Sequence, residues 1–304
     1  VIQADNGVIV NKDVTTTGAH LHLDGDMDNT NADDVMNKVQ FADGVTIKAK
    51  TLITLESTQG VIERLGTLTM SAGTGVFIWN DVSSVAADKQ LVIDADSVDD
   101  GDGTFMLAAD RLLDTNEGEL VLTAWDVDLD GSINTGVKLM NIHTRAIAPS
   151  GQTIGLGSVG KDMHLDDAEL GRITSAGGLR IGNTANSHMT VSGITYSNSD
   201  SVGTLTLTCG QPSTRVEFTT AASAFQKGII VQALGGIDIA ESVVTQNTPT
   251  VFIAGVGTIT VAPSKTLSST GQSLIITADD VDLKAAASVN SGAGSTVLHV
   301  FSQD

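Results

Sequence analysis

The chain is poor in the residues that usually stabilise or anchor a secreted or membrane protein. A single cysteine, Cys209, occurs in 304 residues, so no intrachain disulfide can form and stability has to come from another source, such as a continuous core. Aromatic residues make up 3% and prolines number 4, which leaves Val, Ile, Leu, Ala and Met to fill the interior. Cations are scarce: 16 Lys and Arg stand against 36 Asp and Glu, for a net charge of −20 and a pI near 4.4. That balance excludes nucleic-acid binding, which needs Lys and Arg to neutralise phosphates. It also disfavours an anionic membrane surface. It favours solubility and leaves room for counter-cations such as calcium. No uninterrupted apolar run approaches the length needed to span a bilayer, so no transmembrane helix is predicted. There is no Asn-x-Ser/Thr acceptor, so N-glycosylation is not expected. The sequence starts at Val1 without an initiator Met or signal-like segment, and the expectation is a processed or truncated piece.

Glycine is abundant, at 32 residues, and it separates short runs of alternating apolar and polar residues. Such runs with Gly, Asn, Asp and Ser between them predict many short strands and tight turns, with few helices. The strongest signal is repetition. Leu120-Val121-Leu122-Thr123-Ala124-Trp125-Asp126-Val127-Asp128-Leu129 returns as Leu274-Ile275-Ile276-Thr277-Ala278-Asp279-Asp280-Val281-Asp282-Leu283, at an offset of 154. Ser132-Ile133-Asn134-Thr135-Gly136 returns as Ser288-Val289-Asn290-Ser291-Gly292. Near the start, Ile2-Gln3-Ala4 and Gly7-Val8-Ile9-Val10 match Val231-Gln232-Ala233 and Gly236-Ile237-Asp238-Ile239. Both ends are expected to be cuts through a longer repetitive polypeptide.

A finer rhythm lies inside the long unit. The runs beginning at Leu91, Phe105 and Leu120 align at offsets of 14 and 15, and a Gly-Thr-x-Thr element recurs at Gly66, Gly203 and Gly257. Apolar residues alternate with Thr in each, the period of a strand buried on one face. One such unit cannot bury its apolar face alone, whereas stacked coils build a continuous ladder. The prediction is an all-β, right-handed parallel β-helix. Roughly 25 residues per coil and about 4.8 Å per strand give about 12 coils and a rod on the order of 60 Å. Residues 1–304 are read as one continuous solenoid. Within it, 1–119 is a divergent partial repeat with an insertion near 26–42, 120–273 is a full unit, and 274–304 begins the next. Asp166–Ile173 and Ala221–Lys227 are expected to form single helical turns or corners.

Several segments together resemble the filamentous-haemagglutinin-type repeats of very large surface proteins from bacteria and aquatic microbial eukaryotes. They are Gln152-Thr153-Ile154-Gly155-Leu156-Gly157, Met163-His164-Leu165, Glu169-Leu170, Arg172-Ile173-Thr174, Gly178-Leu179-Arg180-Ile181-Gly182, Val202 to Leu207, Lys227 to Val231 and Thr277 to Leu283. The resemblance covers residues 120–304; residues 1–119 fit it only loosely. It implies a right-handed parallel β-helix on an exported fibre or adhesin, and says little about a ligand.

Candidate chemistry is sparse. Asp126-x-Asp128-x-Asp130-Gly131 opens like a calcium loop, but Val137 stands where the closing bidentate Glu belongs. The duplicate copy has Lys284 and Ala285 in place of Asp130 and Gly131. We read the run as an outward row of Asp alternating with inward Val127 and Leu129. His20-x-His22-x-Asp24 has a spacing that suits zinc or copper, yet Leu21 and Leu23 alternate with it and no further ligand is identifiable. Asp99-Asp100-Gly101-Asp102-Gly103 reads as a solvated acidic turn. Cys209 lacks a motif for a nucleophile and reads as a small buried hydrophobe. A β-helical polysaccharide enzyme would need bases, paired carboxylates and aromatic platforms. Lys and Arg are thinly spread, and only Trp79, Trp125 and Tyr196 could serve as platforms. Thr rows facing ice would need a flat array repeated coil after coil. No catalytic, metal or cofactor site is therefore assigned. The expected role is a structural, non-enzymatic subunit of an extracellular filament or surface fibre. Its partners would be copies of itself, with glycans as partners of an adhesin alternative.

Overall fold

The computed structural model describes residues 1–30, 36–145 and 151–301. The chain is an all-β parallel β-solenoid of about 13 turns with almost no helix. It divides into two compact units, one comprising residues 1–145 with 172–177, the other residues 146–171 with 178–304.

In the first unit each coil contributes three strands, one to each of three parallel sheets. The first face stacks Ile2–Gln3, Leu21–Asp24, Leu52–Glu56, Gly75–Ile78, Thr104–Leu107 and Asp126–Leu129. The second stacks Val8–Val10, Lys38–Phe41, Val61–Arg64, Val82–Ser84, Leu112–Asp114, Ser132–Asn134 and Ile173–Thr174. The third runs through Val14–Thr16, Val45–Ala49, Leu68–Ala72, Leu91–Asp94, Leu120–Thr123 and Met140–His143.

The alternation of each strand sends one set of side chains inward, where register stacks them on their counterparts in the next coil. Ile47, Met70, Ile93, Leu122 and Ile142 form one such ladder, all buried. Leu21, Ile53, Val76, Phe105 and Val127 form another. Burying a side chain of this size contributes roughly 1.5–3 kcal/mol. The ladders therefore take the place of the disulfides or large aromatics used elsewhere. The coils are unequal in length: the step from Ile93 to its partner Leu122 is longer than the steps from Ile47 to Met70 and from Leu122 to Ile142.

The second unit uses the same plan. Its first sheet includes Ile154–Gly157, Met189–Ser192, Val216–Phe218, Ile237–Ile239, Thr258–Val261 and Asp280–Leu283. A four-stranded second sheet runs from Ser223–Phe225 through Val243–Thr245 and Thr266–Ser269 to Ser288–Asn290. The third sheet includes Leu205–Cys209, Ile229–Ala233, Thr250–Ile253, Leu274–Ala278 and Thr296–Val300. Phe218 of the first sheet and Phe252 of the third meet in the interior of this unit, with ring centroids 6.0 Å apart at 46°.

Some local expectations shift. Asp166–Ile173 does contain a helical turn, Asp167–Gly171. It opens with a reciprocal cap: Asp166 Oδ1 accepts from the Glu169 amide at 2.7 Å and Glu169 Oε2 accepts from the Asp166 amide at 2.7 Å. Ala221–Lys227 instead holds the strand Ser223–Phe225, paired with Val243–Thr245. Of the insertion near 26–42, Lys38–Phe41 is a regular strand in register with Val61–Arg64; residues 31–35 lie outside the described residues. The repeated blocks fold alike, since Leu120–Thr123 and Leu274–Ala278 are both third-sheet strands and Asp126–Leu129 and Asp280–Leu283 both first-sheet strands. By contrast, Ile2–Gln3 lies in a first sheet and its sequence match Ile229–Ala233 in a third. The finer near-repeat likewise places Leu91 and Leu120 on one face and Phe105 on another. A short alternating strand between Gly turns reads the same whichever face it joins.

Candidate functional site

Two groups of side chains have ligand atoms within 4.8 Å of one another among the described residues: His22, Asp24 and Glu56, and Asp96, Asp100 and Asp102. Each contains part of a motif visible in the sequence, and each adds a residue that the motif did not include.

The first group lies on the outer surface of the first sheet, with Leu21 and Leu23 of the same strand buried beneath it. Register sets Asp24 against Glu56 of the next coil, and His22 Nε2 stands 3.4 Å from Glu56 Oε2. His20 is exposed and outside the group. Asp24 is already engaged, for its Oδ1 accepts from the Asp26 amide at 3.0 Å and its Oδ2 from Gln3 Nε2 at 3.1 Å. The arrangement joins a carboxylate pair and an imidazole across two coils. Glu56 was not legible as a third ligand, because a full coil of chain separates it from its register partner Asp24.

The second group is built on a corner that follows the third-sheet strand Leu91–Asp94. Ala95 is held by its amide to the Thr123 carbonyl at 2.8 Å and Ser97 by its amide to the Ala72 carbonyl at 2.8 Å, so both neighbouring coils fix Asp96 between them. Asp99 and Gly101 adopt φ of 56° and 90°, turning the chain back on itself. At Gly103, with φ 113°, a Cβ would lie 2.5 Å from the Ala95 carbonyl oxygen and 2.7 Å from Asp96 Cβ. Glycine is thus required for the return strand to pass so close to Asp96. Asp96 is completely buried, and neither of its carboxylate oxygens has a hydrogen-bond partner. Burial pushes its carboxyl up to about 7, with the charges of Asp99, Asp100 and Asp94 adding to the effect against Arg145. Burial also raises Asp94, although it pairs with the Arg145 guanidinium. Asp102 is raised by burial and by its neighbour Asp100. Asp99 to Gly103 is recognisable in the sequence as an acidic turn, but nothing there signals that Asp96 joins it.

The other sequence candidates fall differently. Asp126 and Asp128 face outward beside Thr104 and Met106, while Val127 and Leu129 point inward and are buried. Asp126 Oδ1 caps the amide of Val127 at 2.9 Å. Asp128 and Asp130 belong to neither group of potential metal ligands. Cys209 is buried on the third sheet, where burial pushes its thiol up to about 12 and Asn186 Nδ2 donates to Sγ at 3.3 Å. It is a packed hydrophobe at neutral pH. The Thr residues do not form one array. Along the outer third face of the first unit the row reads Thr46, Thr69, Val92, Val121 and Asn141. No helix among the described residues is long and apolar enough to cross a membrane.

A buried polar construction lies inside the first unit. Arg64 points inward from the second sheet and is fully buried. Its Nη1 donates to the carbonyls of Gly66 and Lys89, both at 2.9 Å, and its Nη2 to that of Thr115 at 2.8 Å. Burial lowers the guanidinium to about 10, opposed by Asp114, so it keeps its charge at neutral pH. Beyond it, hydroxyls close the same corner in later coils. Thr115 Oγ1 donates to the Gly118 carbonyl at 2.7 Å, and Thr135 Oγ1 pairs with Ser175 Oγ at 2.9 Å.

Neither a family model, nor a curated protein, nor a solved structure matches this chain.

Proposed function

We propose that this chain is a stiff segment of an extracellular filament or surface fibre, non-enzymatic, extended by stacking of further β-coils on its own. The observation that carries the reading is the core of each unit, a ladder of buried apolar side chains stacked coil upon coil, from Ile47 to Ile142 in the first and from Leu207 through Val231 and Phe252 to Ile276 in the second. A core built by coil-to-coil register alone can be extended by further coils in the same way. The unequal turns and acidic surface support the same role, since they keep the sides hydrated while the core alone sets the register.

The test is electron microscopy of the purified chain across concentrations, with subunit mass measured on a denaturing gel. Rods that lengthen with concentration are the expected result. Short rods of one length at every concentration would sink it.

An adhesin module is the second reading, and one observation favours it. On the outer third face of the second unit Ile230, Val251, Ile275 and Val297 stand in register, half-buried and without a polar residue between them. Side-face binding to a glycan array or a host surface that is lost in Ile230→Lys/Ile275→Lys, with rod length unchanged, would decide for it.

A further inference from the structure

We propose that the corner Asp96–Gly103 binds a hard divalent cation, calcium, through the carboxylates of Asp96, Asp100 and Asp102. The three carboxylates converge on one point: their ligand oxygens lie within 4.8 Å of one another. Oxygens sharing one calcium ion, each at roughly 2.3–2.6 Å from it, are separated by at most about 5 Å. No imidazole or thiolate is in the group, and an all-oxygen donor set selects a hard ion over zinc or copper.

Convergence of acids on a surface would mean little without the second feature, which is Asp96. It is fully buried, both oxygens lack any hydrogen-bond partner, and it is aimed into the group formed by Asp100 and Asp102. Buried carboxylates are ordinarily hydrogen-bonded or paired, because an isolated buried charge is costly. The cationic group beside it is already in use, since Arg145 pairs with Asp94. The other nearby base, His143, is lowered by burial and so is neutral at pH 7. Asp96 therefore lies among the carboxylates of Asp94, Asp99, Asp100 and Asp102, and the Arg145 guanidinium is paired with Asp94. A divalent ion satisfies both oxygens of Asp96 and offsets the repulsion among its neighbours.

The loop is also built to hold that geometry. Gly103 packs on Asp96 where a Cβ would collide, and the Trp125 amide donates to the Gly103 carbonyl at 2.9 Å. The Trp125 ring borders Gly101, 3.8 Å from where a Cβ would stand. Exposed Asp100 and Asp102 close the site from the solvent side. An all-carboxylate set on an irregular turn suits calcium, which accepts irregular coordination, over magnesium, which demands near-ideal octahedra.

Trp125 makes the site readable in the intact chain. Terbium, a calcium surrogate, is titrated in with excitation of tryptophan, and calcium and magnesium are then used as competitors. The expected result is saturable terbium emission displaced by calcium at concentrations at least tenfold below those of magnesium. Asp96→Asn abolishes it. Asp100→Asn and Asp102→Asn, at exposed positions that spare folding, each weaken it at least tenfold. Trp125→Phe removes the emission but keeps the calcium-induced rise in Tm. Three outcomes would overturn the proposal. They are the absence of saturation together with a Tm unchanged by millimolar calcium, wild-type affinity in the Asp100→Asn/Asp102→Asn double variant, and emission that survives Trp125→Phe.

Discussion

Arg64 reaches across two coils to Thr115, 51 residues along the chain, and donates to its carbonyl at 2.8 Å from inside the solenoid. On the way it also satisfies the carbonyls of Gly66, Lys89 and Gln90. One charged side chain thus caps carbonyls on three successive coils, where apolar residues could supply only contacts. Its position in the second-sheet column falls between Phe41 and Ser84. Below it the column is apolar; above it, small hydroxyls close the corner.

Replacing Arg64 by Met keeps most of the volume but leaves those buried carbonyls without donors. The expected destabilisation is about 3–5 kcal/mol, in the range for breaking a buried charged network. Arg64→Lys recovers only part of it, because an ammonium cannot reach the same spread of acceptors. Equilibrium urea denaturation followed by circular dichroism measures both. A loss below about 1 kcal/mol for Arg64→Met would mean that water replaces the guanidinium.

Glu63, on the outer face of the same strand, sets an acid limit. Burial pushes its carboxyl up, but Lys38 Nζ at 3.0 Å and Gln40 Nε2 at 2.6 Å outweigh that and hold it below the usual glutamate range. A folded pKa below the unfolded one gives stability that is present above the unfolded value and lost as pH falls through the folded one. Wild-type Tm should therefore drop below about pH 4.5 more steeply than that of Glu63→Gln, and the two curves should run parallel above about pH 6. Thermal melts across the acid range up to neutrality test this.

Cys209 should be silent in the native protein. With its thiol raised to about 12 and its side chain buried, the thiolate fraction at mildly alkaline pH is negligible. Ellman's reagent should react only after denaturant is added, at a rate that follows unfolding. Prompt modification in buffer would show that the third sheet opens locally.

The fold itself was legible in the sequence for a simple reason. Burial on one face of a strand imposes a period of two, and turns between strands demand Gly, Asn and Asp at left-handed positions such as Asp88, Asp110 and Asn116. Both signals are local, so a parallel solenoid with a Val, Ile and Leu ladder followed directly. The scarcity of aromatics followed too, because coils this short enclose a narrow interior. The duplicated blocks near Leu120 and Leu274 identified strands that occupy the same faces.

What the sequence could not determine is which residues stack. Adjacent coils are related by hydrogen-bonded register, and the turns absorb a variable number of residues, so the neighbour of a given side chain has no constant offset. Leu21 pairs with Ile53, whereas Leu120 needs a much shorter step to reach Met140. Glu56 joins His22 and Asp24 only through that register, and Arg64 finds Thr115 in the same way. Asp96 looks like any polar residue ending a strand until Gly103 folds the acidic turn over it. Local periodicity therefore decided the fold, and tertiary register alone decided where charges meet.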